Sequence, residues 1–365
     1  MGKKNPVLFL LVALLTVQFH ISYCEKWWRI VTKGDAVLNA NNTELPIDQD
    51  CTNQTIFSDI LNHRQIRLCQ HNRDNKLLST IAIGVLRALH QCQKLFKDRP
   101  WNCTVFDSGP YFGRFVERGT RETAFLNAII SAGIAREVAR KCKEQSLEWC
   151  TCDFSLPSDW RQTYGATLGA RATIVPACGD NDNYGIELAK QFTDAGLRVN
   201  SCTGRAALHN NRVGRKLLND ETKVECICHG LSGTCTVVTC YKKVPDIEEI
   251  GQQLLTKYDD AKHIESDKIN ALISNEPSLS SSELVYCKFS PNFCQRNLNY
   301  GIYGTSGRQC WLGINGPSSC SGMCCGGPVD HKLVIKNKEQ CKFVWCCSVT
   351  CEVVGNYTAT EYYCQ

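Results

Sequence analysis

Cys228-His229-Gly230-Leu231-Ser232-Gly233-Thr234-Cys235 sets one serine among small residues between two cysteines, with Cys226 and Cys240 standing just outside. Val224, Ile227 and Val237 are strand-like on either side of a glycine-rich centre, which reads as a β-hairpin turning at Gly230, Ser232 and Gly233. If Cys226 joins Cys240 and Cys228 joins Cys235, two nested rungs lock the hairpin, because facing strand residues lie within disulfide reach. Ser232 then projects from a stiff tip. Three roles fit a serine held this way: a nucleophile, a neighbour of a metal site, or a hydroxyl on display.

A nucleophile elbow needs G-x-S-x-G on a strand-to-helix turn. Here the last glycine is missing, and no helical pattern follows before Pro245. His229 is nearby in sequence, but a hairpin tip neither buries nor orients it. Metal binding through Cys226, Cys228 and His229 has the spacing C-x-C-H, which is not the usual zinc arrangement. In the third role, the rigid tip presents its hydroxyl to a modifying enzyme and then to a receptor.

The rest of the chain narrows the setting. Its 365 residues are 43% hydrophobic and 21% charged, an ordinary globular composition. The formal charge is only +5 and no dense Lys/Arg run occurs, so nucleic acid has little support as a partner and none is expected. The 25 cysteines point instead to an oxidising compartment. Lys3 and Lys4 precede an apolar stretch from Val7 to Phe19, the pattern of a secretory signal peptide over residues 1–24. Its removal takes Cys24 away and leaves 24 cysteines, an even set that reads as a disulfide framework rather than a metal site. The mature chain is expected outside the cell. Sequons at Asn41, Asn53, Asn102 and Asn356 are candidate glycan sites.

Two domains are expected. Residues 25–273 carry long helical patterns: Leu77–Phe96 repeats apolar residues at i, i+3, i+4 and i+7, and Thr120–Cys142 is apolar on most sides, with Thr120 as its N-cap. Shorter helices are expected over Tyr184–Phe192 and Asp246–Ala261. Residues 274–286 open with the polar, serine-rich SNEPSLSSSE and read as a linker. Residues 287–365 hold eleven cysteines and few long apolar runs, so staples rather than a core should hold short strands together there. The fold class is a mainly α N-terminal domain with a disulfide-locked β-hairpin, plus a small cysteine-rich β-hairpin C-terminal domain.

CHGLSGTCTVVTC closely resembles the signature of the Wnt family of secreted, lipid-modified signalling proteins. QCQKLFKDRPWNCT, GTRETAFLNAIISAGIAREVARKC, HNNRVGRK, SPNFC, YGTSGRQC and FVWCC look like further family blocks, in the family's order, from about Cys69 onward. The resemblance implies a ligand and not an enzyme, with no cofactor and no bound metal. It implies that Ser232 carries a palmitoleoyl chain attached by the acyltransferase Porcupine. It also implies that two projections bind the cysteine-rich domain of a Frizzled receptor: the serine hairpin, a thumb with Leu231, Ser232 and Gly233 at its tip, and a C-terminal index finger ending in Phe343, Val344, Trp345, Cys346 and Cys347. Lipid carrier proteins, and a lipoprotein-receptor-related co-receptor near the His209-Asn210-Asn211 block, are the other implied partners. The implied location is the extracellular space and matrix, with membrane association through the lipid. The competing class is a secreted disulfide-rich carrier or structural protein whose serine is unmodified.

By matching positions, the resemblance implies pairs Cys92–Cys103, Cys142–Cys150, Cys152–Cys178, Cys226–Cys240 and Cys228–Cys235. In the C-terminal domain it implies Cys294–Cys325, Cys310–Cys320, Cys324–Cys364, Cys341–Cys351 and a vicinal Cys346–Cys347. Cys51 and Cys69 make an N-terminal bridge. Cys202 and Cys287 are then left over and are expected to pair, tying the helical domain to the start of the small one. The chain departs from the family where Glu339 and Val354 replace a usual bonded pair, where Tyr241 replaces a tryptophan, and where Val238 replaces a basic residue.

Overall fold

The computed structural model describes residues 26–30, 60–72, 76–106, 112–157, 172–264, 281–345 and 348–365. The expected signal peptide, Asn41, Asn53, Cys51, Cys346, Cys347 and most of the expected linker lie outside them. The chain divides into two compact units, residues 1–92 with 105–290 and residues 93–104 with 291–365. The second unit therefore begins after Cys287 and also takes in a short segment far earlier in the chain. Packing within that unit explains the segment: Trp101 lies edge-on to Phe96 at 5.0 Å and beside Phe293 at 6.3 Å. The Arg308 guanidinium donates to the carbonyls of Pro100 and Lys97 at 2.8 and 2.7 Å.

The first unit is helical around one buried rod. Helices α1 (His63–Asn72) and α2 (Leu77–Phe96) precede α3 (Arg121–Lys143), followed by α4 (Asp182–Thr193), α5 (Cys202–Asp220) and α6 (Ile247–Asp259). Eighteen of the 23 residues of α3 are buried. Its start is fixed by a capping box in which Thr120 N–H donates to the Thr123 hydroxyl at 3.2 Å. Small residues let the neighbours close in. A Cβ on Gly84 of α2 would sit 2.8 Å from the carbonyl oxygen of Gly133, and one on Gly185 or Gly214 would collide with the α3 backbone at Ala135 or Ala128. Between these contacts Phe125, Leu126, Ile129 and Ile130 are buried, each worth about 1.5–3 kcal/mol.

α1 and α5 have no counterpart among the expected helices. In α5 the apolar stripe is broken by Asn210, Asn211 and Arg215, all buried. Each is satisfied in the fold. Asn210 exchanges hydrogen bonds with the backbone of Val285 at 2.9 and 3.0 Å, and Asn211 and Arg215 both donate to Asp194. Polar residues that belong to the core hide a helix from an apolar-period reading.

A three-stranded sheet flanks the helices: β1 (Thr173–Pro176) lies parallel to β3 (Val237–Lys243), which pairs antiparallel with β2 (Lys223–Cys228). A small parallel pair joins β4 (Lys262–His263) to β5 (Val285–Tyr286). The Cys202–Cys287 disulfide closes beside it, in a cluster with Ala206, Ile264 and Val285. Both cysteines belong to the first unit, so the bond staples α5 to β5 and does not bridge the two units as expected.

The second unit has a core made largely of sulfur. Cys310, Cys320, Met323, Cys324 and Cys364 are buried together, Cys320 and Met323 on the short helix α7 (Cys320–Met323), with Val329 and Tyr362 against them. Cys310–Cys320, Cys324–Cys364 and Cys294–Cys325 close around this cluster. From it extends a ribbon of β7 (Val329–Val344) and β8 (Ser348–Cys364), with short β6 (Gln309–Cys310) pairing β8 near the core. These strands of 16 and 17 residues are long, not short as expected. Most of the ribbon is exposed, so its sequence has no burial to advertise through alternation.

Candidate functional site: a disulfide-locked serine tip

The serine hairpin is built from its base outward. Val224, Val238 and Cys240 are buried in a small core against Ile174 and Leu156. Val238, at the position where a basic residue was expected, is fully buried. Lys242 extends this anchor: its side chain is 6% exposed, and its ammonium lies 2.5 Å from both Asp153 and Asp182. Burial opposes the Lys242 charge, but the hydrogen bonds it donates to Asp153 and Asp182 outweigh it and raise its pKa. The Asp153 pKa is lowered, the hydrogen bond from Lys242 and those at Ser155 overcoming the effect of burial. On the other side Tyr241 packs against the Lys143 ammonium at 4.5 Å and donates to Glu225 at 3.1 Å.

The two disulfides act at different levels. Cys226 and Cys240 face each other in the β2–β3 ladder and are bonded, with Cα atoms 4.2 Å apart. Cys228 is bonded to Cys235, which lies two residues before β3 begins, so this bond closes the loop itself. Within the loop the Gly230 N–H donates to the Thr234 carbonyl at 2.7 Å, and Gly233 N–H donates to the Gly230 carbonyl at 3.0 Å. Leu231–Gly233 form one tight turn, exposed throughout. Ser232 sits at φ 53°, ψ 31°, and Gly233 follows at φ 75°. A left-handed backbone costs a non-glycine residue about 1–2 kcal/mol, so the bonded loop holds Ser232 in a conformation it would not choose alone. Leu231 beside it is 91% exposed.

This arrangement is chemically simple. Cys226 and Cys228 are in disulfides and have no thiolate to offer a metal. Ser232 is followed by strand β3 and not by a helix, and His229 is exposed, so the elements of a nucleophile elbow are not assembled. The tip offers a hydroxyl and an apolar side chain to whatever meets it. A cavity of about 480 Å³ opens at the hairpin base beside Arg136, Lys143, Tyr241 and Asp246. Its charges are matched internally, with Arg136 on Asp246 at 2.5 Å and Lys243 on Glu225 at 2.7 Å.

The far end of the β7–β8 ribbon is a second exposed tip. Trp345 is 91% exposed and Phe343 71%, with Val344 also exposed, so Trp345 is not a core residue of its unit. Cys341 and Cys351 face each other and are bonded. Glu339 faces Val353, not Val354, because a β-bulge between Lys338 and Glu339 shifts the register and leaves Val354 without a partner across the ladder. Cys142–Cys150 and Cys152–Cys178 are also closed, and Cys69, Cys92 and Cys103 are in disulfides. Of the His209-Asn210-Asn211 block expected near a co-receptor surface, both asparagines are core residues, and the neighbouring Arg212 is exposed.

Comparison with known proteins agrees with these features. A family model described as the wnt family matches residues 58–365. Protein Wnt-1 of Danio rerio is 34% identical over 96% of this chain and 94% of its own length. Protein Wnt-5a of Xenopus laevis is 33% identical over 94% of this chain and 89% of its own. A chain in the solved structure of human WLS in complex with WNT8A superposes with a TM-score of 0.54 and 31% identity, covering 80% of this chain and 94% of that one. With a family match across most of its length and relatives aligned nearly end to end, this chain belongs to the Wnt family of secreted signalling ligands.

Proposed function

We propose that this ligand signals by carrying a palmitoleoyl group on Ser232 into the cysteine-rich domain of a Frizzled receptor, with Phe343, Val344 and Trp345 making a second contact. Porcupine attaches the acyl group, and a carrier of the WLS type, which accompanies WNT8A in the matched structure, receives the acylated chain. The observation that carries this reading is the state of Ser232: exposed, held left-handed, and mounted on a loop closed by one disulfide above another. A rigid hydroxyl needs no reordering when an acyltransferase or a receptor engages it, so little binding energy is lost to entropy.

The magnitudes support the lipid as the main anchor. At about 0.8 kcal/mol per buried CH₂, a sixteen-carbon chain contributes on the order of 10 kcal/mol before entropic costs. The same chain on a membrane gives only marginal, reversible attachment. The secreted ligand should therefore stay close to membranes or travel on a carrier. Among the described residues no helix is long and apolar enough to cross a bilayer.

Titration of the secreted protein onto an immobilised Frizzled cysteine-rich domain tests the reading. Trp345→Ala should be secreted and acylated like wild type but bind about thirty-fold more weakly, the roughly 2 kcal/mol of an aromatic hot spot. Equal binding by Trp345→Ala and by enzymatically deacylated ligand would contradict it.

A further inference from the structure

One face of the β7–β8 ribbon holds two aliphatic side chains open to solvent, Leu333 and Ile335. Side chains alternate along a strand, so Leu333, Ile335 and Asn337 of β7 share a face. Across the ladder Leu333 faces Thr360, Ile335 faces Thr358 and Asn337 faces Asn356. Residues directly opposite point to the same side. Leu333 is 72% exposed and Ile335 76%. The reverse face differs: Val334, Lys336 and Ala359 are half-buried, and Lys336 is paired with Glu361 at 2.8 Å. A long two-stranded ribbon with neighbouring aliphatic side chains exposed is a template for association unless something covers them.

That face also carries a means of cover. Asn356-Tyr357-Thr358 is a sequon, and strand alternation turns Asn356 and Thr358 to the side of Leu333 and Ile335 while Tyr357 turns away. Both Asn356 and Thr358 are exposed. The sequon at Asn102 is placed differently: it lies between buried Trp101 and buried Cys103, and the Thr104 hydroxyl donates to its side chain.

We infer that Asn356 carries an N-linked oligosaccharide that lies over Leu333 and Ile335 and keeps this half of the ribbon from self-associating. The inference rests on the secretory route of the functional reading above. In the transfer, Nδ2 of Asn356 bonds to C1 of a lipid-pyrophosphate-linked oligosaccharide. The C1–O bond breaks, its electron pair leaves with the lipid pyrophosphate, and the amide loses one proton. The sugar stem starts one residue pair from Ile335, so the C–H faces of its first rings fall over the two aliphatic side chains. Tipward of the bulge, Phe343 and Val349 stay uncovered for a receptor.

The test compares full-length secreted wild type, Asn356→Gln, and Asn356→Gln combined with Leu333→Thr and Ile335→Thr. Glycopeptide mass, hydroxyl-radical labelling of β7 and light scattering in one detergent are read on each. Asn356→Gln should lose one oligosaccharide, show several-fold more labelling at Leu333 and Ile335, and self-associate; the triple variant should return to wild-type size. If Asn356→Gln is not secreted, amidase removal of the oligosaccharide from folded wild type gives the same comparison. A bare Asn356 in wild type overturns the inference, and so does a filled Asn356 whose removal changes neither labelling nor size. Acylation of Ser232 is read on the same samples, so a filled Asn356 with a bare Ser232 would sink the lipid reading alone.

Discussion

Cys228 faces Val238 across the β2–β3 ladder but is bonded to Cys235, three residues nearer the tip. The upper disulfide therefore constrains the loop and not the strands, whereas Cys226–Cys240 joins two facing residues. Loop-closure arithmetic gives about 2.5 kcal/mol for so short a ring. Replacing Cys228 and Cys235 together by serine should leave the strands paired. Hydrogen exchange of residues 229–236 should speed up about tenfold or more while β1–β3 keep their protection. Unchanged exchange in the loop would show that the turn holds Ser232 without the bond.

The two glycines that flank Leu231 and Ser232 should respond differently. A Cβ on Gly230 would collide with the Thr234 hydroxyl and carbonyl, although its φ of −74° suits any residue. Gly233 has φ 75° and open space around it. Gly233→Ala should cost only the left-handed penalty of about 1 kcal/mol, while Gly230→Ala must displace the loop backbone. Acyl occupancy of Ser232 should fall sharply for Gly230→Ala and little for Gly233→Ala. The reverse order would mean that backbone freedom at Gly233 is what acylation requires.

Lys242 is the electrostatic anchor of the hairpin base. Removing it leaves Asp153 and Asp182 facing each other in a mostly dry site, and breaking such a pair costs about 3–5 kcal/mol. Lys242→Met should lower the midpoint of denaturant unfolding accordingly. The acid limb follows from Asp153, whose pKa is lowered in the folded state. Its contribution is present above the unfolded carboxylate value of about 3.9 and is lost as pH falls through the lower folded value. Lys242 itself contributes below about pH 10.4 and loses that contribution as pH rises through its raised folded value. Asp153→Asn should flatten the stability profile below pH about 4. An unchanged acid limb would place the acid sensitivity elsewhere.

At the finger, the bulge makes Val353 the residue opposite Glu339. Glu339→Cys with Val353→Cys should close a disulfide in the secreted protein, detected by loss of free thiols. Glu339→Cys with Val354→Cys should close only by removing the bulge. Wild-type amides around residues 337–339 should exchange faster than those of a Wnt protein that keeps a bond at this level; equal protection would show that the bulged ladder is as stiff as the bonded one.

The sequence revealed those elements whose side chains serve a single purpose. α2 repeats apolar residues at helical spacing because one face is buried, and its expected and observed spans coincide over Leu77–Phe96. α5 escaped because Asn210, Asn211 and Arg215 spend core positions on hydrogen bonds to Val285 and Asp194, partners set by tertiary structure alone. The ribbon's length escaped because its strands bury too little on either face to leave a burial pattern in the sequence. At the tip, the cysteine frame pointed to Ser232, but its left-handed backbone depends on loop closure and Gly233, which residue identities do not specify. Counting cysteines left Cys202 and Cys287 as partners; it could not say that both belong to one unit.

On the functional reading proposed above, the locked tip displays an acylated serine. Mass spectrometry of the disulfide-linked Cys226–Cys240 peptide from protein secreted by cells with active Porcupine tests it most directly. Ser232 should carry an increment of one mono-unsaturated sixteen-carbon acyl group, absent when Porcupine is inhibited. A bare Ser232 on efficiently secreted, receptor-active protein would contradict it and leave the protein contact at Trp345 as the leading explanation of signalling.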